Sequence, residues 1–247
     1  MTLAELKFRS DCLCRNTRVN VLLPKRPAGE CPVLMLLHGM HGTYDDWLRR
    51  STIEVYAQEH GIAVVMPDGE NSFYHDMKYG EPFFTYVAEE LPEVMQRTFG
   101  ISAERDKNLI AGLSMGGYGA FRFALLRPDR YYAAISLSGC LDITSRVVAS
   151  ERAGLWTRIW GEDYQETAPK SDSDVIHLIR SFPFGKQAPK MYLACGTEDF
   201  LYQDHKTAIE ALESRKDVFT YVAEEGPGEH NWPFWETWIK RALDQVL

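Results

Sequence analysis

Long apolar runs are missing from this sequence. No window of its 247 residues approaches the roughly 18 uninterrupted apolar residues of a membrane-spanning helix, so a membrane is not expected as a partner. The N-terminal stretch MTLAELKFRSDCLCRNTRVNVLLP has no apolar core after a basic start; a secretory signal is not expected. Clustered positive charge is equally scarce. Lys and Arg number 27 against 35 Asp and Glu, a formal net charge of −8, and pairs such as Arg49-Arg50 are too short to form a groove. This argues against nucleic acid and against anionic membrane surfaces, both of which select basic patches. Cysteine offers neither a paired framework nor a zinc knuckle. There are five, an odd number, and Cys12 and Cys14 are separated by a single residue, which is not a usual zinc spacing. Cys31 and Cys195 adjoin apolar runs and read as core, while Cys140 follows one such run; reduced thiols and a cytoplasmic location are the expectation. No repeat and no low-complexity segment appears.

What is present is alternation. Hydrophobic residues make up 45% of the chain and charged residues 25%, an ordinary globular balance. Short apolar runs read as strands: TRVNVLLP ended by Pro24, Val33 to Leu37, Ile62 to Pro67, NLIAG from Asn108, Tyr132 to Gly139, Lys190 to Gly196, and Val218 to Gly226. Helical patterns separate them. Phe83 to Gly100 reads as a helix with Pro92 as a kink and Gly100 as its stop. GGYGAFRFALLR, QDHKTAIEALESRK and the closing NWPFWETWIKRALDQVL complete the set. Regular alternation of this kind implies an α/β fold with a mostly parallel sheet and helices on both faces. The length suits one domain spanning residues 1–247. About fifty residues between Cys140 and Pro189 interrupt the rhythm and predict a small helical insertion (about 140–189) over the strand ends, where ligands bind in such sheets.

Between one strand and the next helix lies Gly112-Leu113-Ser114-Met115-Gly116, which fits G-x-S-x-G. Such a turn holds the serine in strained backbone geometry, with glycines where a Cβ would collide with neighbouring main chain. A serine needs a base, and the base needs an orienting acid, in the chain order serine, acid, histidine. MYLACGTEDFLY places Asp199 in a loop just after a strand, with Glu198 adjacent as the second choice; Asp204, within the next helix, and Asp142, after the preceding strand, are further candidates. His230 is the histidine that follows the last strand, whereas His205 lies in a helical pattern and His177 in the insertion. The residue after the serine, Met115, and Met40 in the loop HGMHGTYDDW are the candidate oxyanion donors through their backbone N–H groups. His38 and His41 flank that loop without a third ligand nearby, so no metal is expected.

The segments LLHGMHGTYDDWLRR, VVMPDGENSFYHDMKYG, AGLSMGGYGAFRFAL, CGTEDFLYQDH and GEHNWPFWETWI resemble the esterase D family of α/β-hydrolases, in its tributyrin-esterase branch. The resemblance extends from RVNVLLP to the last helix and is weakest between Cys140 and Pro189. It implies the α/β-hydrolase fold, with Ser114, Asp199 and His230 as the triad and Met40 and Met115 as oxyanion donors, agreeing with the reading by chain order. It also implies a serine carboxylesterase that needs no cofactor and takes a small-molecule ester. Small acyl groups on simple alcohols, phenols or sugars are the first expectation, and hydroxycinnamoyl esters the next. The resemblance equally embraces acetyl-xylan esterases, thioesterases of the S-formylglutathione type and acyltransferases. A non-catalytic binding module would be marked by loss of a triad residue, and all three are present. Trp47, Phe73, Tyr74, Trp156 and Phe200 fall in or near loops at the strand ends and are candidate substrate contacts, while Trp232, Phe234, Trp235 and Trp238 are expected to pack the closing helix on the sheet. Apolar surface on the insertion would point to a homo-oligomer.

Overall fold

A computed structural model describes residues 1–149 and 152–247. Eight strands form one sheet in the order β1-β2-β4-β3-β5-β6-β7-β8. They are β1 (Thr2–Ser10), β2 (Arg15–Leu23), β3 (Val33–Leu37), β4 (Ala63–Pro67), β5 (Asn108–Leu113), β6 (Ala133–Leu137), β7 (Lys190–Gly196) and β8 (Tyr221–Gly226). The pairs β1/β2 and β2/β4 are antiparallel; from β4 to β8 every pair is parallel. The six parallel strands carry their C-terminal ends to one edge, the place where α/β sheets bind ligands.

Strands β3, β4 and β6 are buried along their whole length, as continuous apolar runs require when both faces are covered. Alternate residues face opposite ways. Leu34, Leu36, Val64, Met66, Leu109 and Ala111 pack with α2 (Ile53–His60) and α11 (Trp232–Val246). Met35, Leu37, Val65 and Ile110 pack on the other face with α5 (Met115–Leu126), α10 (Tyr202–Glu213) and the helical stretch after Pro82. Phe234, Trp235 and Trp238 of α11 are buried against the first face, with Trp232 partly buried at its edge.

That stretch runs from Phe83 to Phe99 as α3 (Phe83–Thr85), a π-helical turn over Tyr86–Glu90 and α4 (Leu91–Phe99). Pro92 lacks an N–H and its ring would collide with the carbonyl four residues earlier. The wider turn just ahead of it accommodates the ring. The helix ends at Gly100 in the left-handed region, φ 68°. The strand expected from Val218 starts instead at Tyr221, because Val218 and Phe219 bond to the Arg215 carbonyl and finish the preceding helical segment.

Among the described residues between β6 and β7 are four short helices: α6 (Ile143–Ala149), α7 (Ala153–Trp160), α8 (Tyr164–Thr167) and α9 (Val175–Ser181). Polar bonds fasten this insertion to the body. Tyr118 of α5 donates its hydroxyl to the Ser173 carbonyl at 2.7 Å, and Arg122 reaches both the Asp172 carbonyl (2.8 Å) and its carboxylate (2.9 Å). The amides of Lys78 and Tyr79 donate to the carbonyls of Ile159 and Arg158. Among the described residues, no helix is long and apolar enough to cross a membrane.

Candidate active site

Strand β5 delivers the chain to Ser114 at the sheet edge, and α5 begins at the next residue. Ser114 has φ 54° and ψ −118°, a conformation that costs an L-residue about 1–3 kcal/mol. The flanking glycines make the bend sterically feasible. A Cβ on Gly112 would sit 2.4 Å from the Gly116 carbonyl carbon, and one on Gly116 would sit 2.5 Å from the Leu37 carbonyl oxygen and 2.6 Å from that of His38. The Ser114 amide is anchored to the Leu137 carbonyl of β6 at 2.9 Å.

Two loops from distant parts of the chain meet the serine. After β7, Asp199 lies at the turn into α10 and is 5% exposed. After β8, His230 precedes Asn231, whose side chain caps α11 by accepting from the Phe234 amide at 3.3 Å. His230 Nε2 is 2.9 Å from Ser114 Oγ, and its Nδ1 is 3.0 and 2.9 Å from the two Asp199 oxygens. Burial alone would raise the Asp199 pKa. The His230 hydrogen bond, the Leu201 amide at 2.8 Å and the attraction of the imidazole outweigh it and hold the carboxyl below its ordinary value. An ionised Asp199 fixes the proton of a neutral imidazole on Nδ1 and leaves Nε2 to accept from the serine hydroxyl. The ring is wedged between Phe200 (centroids 4.5 Å apart) and the edge-on indole of Trp235 (5.0 Å).

The other candidate acids are engaged elsewhere. Glu198 accepts from the Gly228 amide, Asp204 pairs with Arg146, and Asp142 bonds Thr144 and Ser145 at the start of α6. His205 is buried beside Glu225, and His177 accepts no part in the cluster, lying on α9 with its amide on the Asp174 carboxylate.

The loop after β3 faces the elbow. His38 donates through Nδ1 to the Gly39 carbonyl (2.7 Å) and accepts at Nε2 from the Gly69 amide (2.9 Å), so both ring nitrogens are committed to shaping the loop. The amide of Gly42 donates to the Gly39 carbonyl (3.1 Å), and that of His41 to Asn71 Oδ1 (2.8 Å). The intervening Met40 amide has no acceptor among the described residues, and neither has that of Met115, the first residue of α5.

A cavity of about 240 Å³ opens over Ser114. Met40, Phe73, Met115, Trp156, Phe200 and Leu201 supply its apolar wall, and Phe73 and Trp156 meet edge to face at 5.1 Å. Trp47 and Tyr74, expected there from their loops, are elsewhere. Trp47 is 1% exposed in the core on the α11 side, donating Nε1–H to the Leu37 carbonyl at 3.0 Å and meeting Trp232 edge-on at 5.2 Å. Tyr74 is fully buried under the loop, with its hydroxyl donated to the His38 carbonyl at 3.0 Å. Each has a polar atom that a buried carbonyl satisfies, and that bond draws the ring inward. The cavity also has walls unforeseen from sequence: Cys140, Arg146, Ala149 and Arg152, all from the insertion or its entry. Burial raises the Cys140 thiol pKa far above its ordinary value, which removes thiolate character from that wall.

Residues 10–245 match the family described as "Putative esterase". An acetyl esterase of Caldicellulosiruptor saccharolyticus is 32% identical, the alignment covering 99% of this chain and 97% of that protein. Among solved structures, fluorophosphonate-binding serine hydrolase F (FphF) of Staphylococcus aureus, determined with substrate bound, superposes with a TM-score of 0.89 at 33% identity, covering 98% of this chain and 97% of that one. S-formylglutathione hydrolase (FrmB) from Staphylococcus aureus superposes with a TM-score of 0.86, also at 33% identity and over the same shares.

Proposed function

This chain belongs to the esterase family, as a carboxylic ester hydrolase with the α/β-hydrolase fold, and on that premise we propose that it cleaves small-acyl esters with Ser114 as nucleophile, His230 as base and Asp199 as orienting acid. The observation that carries the reading is the unbroken hydrogen-bond chain from Ser114 Oγ through both nitrogens of His230 to Asp199, at the head of a cavity.

Ser114 attacks the ester carbonyl as its proton passes to His230 Nε2. Asp199 stabilises the imidazolium that forms. The amides of Met40 and Met115 donate to the oxyanion; the second also lies at the N-terminus of α5, whose partial positive charge favours the same oxygen. His230 returns the proton to the departing alcohol, leaving an acyl-enzyme. Water, deprotonated by His230, then attacks the acyl carbon; the acyl–Oγ bond breaks, His230 returns the proton to Ser114 Oγ, and the acid leaves. The cavity is smaller than the roughly 300–1,000 Å³ of pockets that take drug-sized ligands, which favours a short acyl group. The acetyl esterase relative supports the same preference.

A thioester reading has support in the likeness to the Staphylococcus aureus S-formylglutathione hydrolase. One panel tests both: p-nitrophenyl acetate, butyrate and octanoate beside S-formylglutathione, with wild type and Ser114→Ala. The expected outcome is highest kcat/KM on acetate or butyrate and loss of turnover in the variant. Wild-type rates in Ser114→Ala would overturn the nucleophile, and a dominant rate on S-formylglutathione would replace the ester reading by the thioester one.

A further inference from the structure

The chain as a whole is acidic, yet the wall of its catalytic cavity is not. Among the described residues the lining includes two guanidinium groups, Arg146 and Arg152, and no carboxylate. Both come from the insertion, Arg146 on α6 and Arg152 at the start of α7. They are held differently. Arg146 is braced from behind: Nη2 is 2.7 Å from Asp204 Oδ1, Nε is 3.2 Å from Oδ2, and Nη2 also donates to the Phe200 carbonyl at 3.3 Å. Its charge is matched by that carboxylate. Arg152 donates through Nη1 to the Met40 thioether at 2.9 Å, its one hydrogen bond among the described residues. A thioether is a weak, neutral acceptor and brings no charge to the guanidinium. Met40 and Ser114 line the same cavity as this guanidinium.

Arg152 is exposed to solvent, so its pull acts at contact distance: surface charges are screened beyond about 8 Å at physiological ionic strength, and a carboxylate touching the guanidinium is screened least. A guanidinium fork also matches a carboxylate in shape, with two parallel N–H donors for two oxygens.

From this placement we propose that Arg152, with Arg146 behind it, selects esters that carry a carboxylate close to the scissile bond: a half-ester of a short dicarboxylic acid, or an acylated short hydroxy acid. The inference rests on the esterase reading and names its substrate class. The hydrolysis itself is unchanged; water adds across the acyl–oxygen bond, and the extra carboxylate is carried through untouched.

Matched pairs test it. Monomethyl glutarate and its neutral isostere methyl glutaramate place the charge on the acyl side; 3-acetoxypropanoate and 3-acetoxypropanamide place it on the alcohol side. Wild type is expected to favour the acid of at least one pair by about tenfold in kcat/KM, the worth of one charge-assisted hydrogen bond. The pair showing it identifies the side that faces Arg152. Arg152→Gln should bring that ratio close to one, Arg152→Lys should keep part of it, and high salt should shrink it in wild type. Equal or lower rates on the acids in both pairs, or a preference that survives in Arg152→Gln, would overturn the proposal. Wild type that turns over the neutral esters without favouring the acids refutes this inference alone, whereas no turnover of any ester refutes the esterase reading beneath it.

Discussion

Gly116→Ala probes the elbow most sharply. The new methyl would lie 2.5 Å from the Leu37 carbonyl oxygen and 2.6 Å from that of His38, both of them main-chain atoms of β3 and the loop after it. Carbon and oxygen without a hydrogen bond keep about 3.3 Å or more between them. Relief therefore requires α5 and the end of β3 to separate by roughly 0.8 Å. No flexible side chain is available to absorb the shift, because both obstacles are backbone. Overpacking of this kind costs about 1–3 kcal/mol of stability. Catalysis suffers as well, since the same movement carries the Met115 amide away from the Met40 amide and displaces Ser114 Oγ from His230. A misplacement of that size is worth about 10²-fold in rate. Urea unfolding of both proteins, with kcat/KM on p-nitrophenyl acetate, reads the two effects. A variant within about twofold in rate and 0.5 kcal/mol in stability of wild type would refute the steric account of the elbow.

Asp199→Asn should lower kcat about 10⁴-fold, because an amide can hold the imidazole in the wrong tautomer, whereas Glu198→Gln, altering a group that faces Gly228, should change it less than fivefold; steady-state kinetics on one ester decides between them. Buried His205 titrates at about 4, pushed down chiefly by desolvation, against 6.5 when unfolded. A lowered histidine pKa leaves stability full above pH 6.5 and removes it as pH falls toward 4, by up to about 3 kcal/mol from this group. Unfolding free energies at pH 7 and pH 4.5 should show that loss reduced in His205→Phe; an identical pH dependence in the two proteins would contradict it.

The elements legible in the sequence are those whose chemistry leaves few choices. Parallel strands buried on both faces must be continuous apolar runs, so β3, β4 and β6 stand out. The elbow demands glycine at Gly112 and Gly116, and that spacing is itself the signal. Chain order then points to Asp199 and His230, which the fold brings within hydrogen-bond reach of each other and of Ser114. Strand β1 is harder to see. It is an edge strand with most residues exposed or half exposed, so its alternation of Leu6 and Phe8 with charged neighbours is weak. Side-chain direction in loops is harder still. Trp47 and Phe73 both follow strand ends, yet one ring goes to the far core and the other to the cavity, according to which carbonyl or ring lies within reach. Arg146 and Arg152 belong to an insertion of short helices without a sustained period, where nothing in the local pattern separates a cavity wall from the outer surface.

The most direct measurement is the mass of the protein after reaction with a fluorophosphonate, followed by peptide mapping. Activated Ser114 predicts one phosphonyl group per chain, placed on the peptide containing Ser114, and none in Ser114→Ala. Labelling at another residue, or an unmodified wild-type chain that still hydrolyses esters, would contradict the claim that this serine does the chemistry.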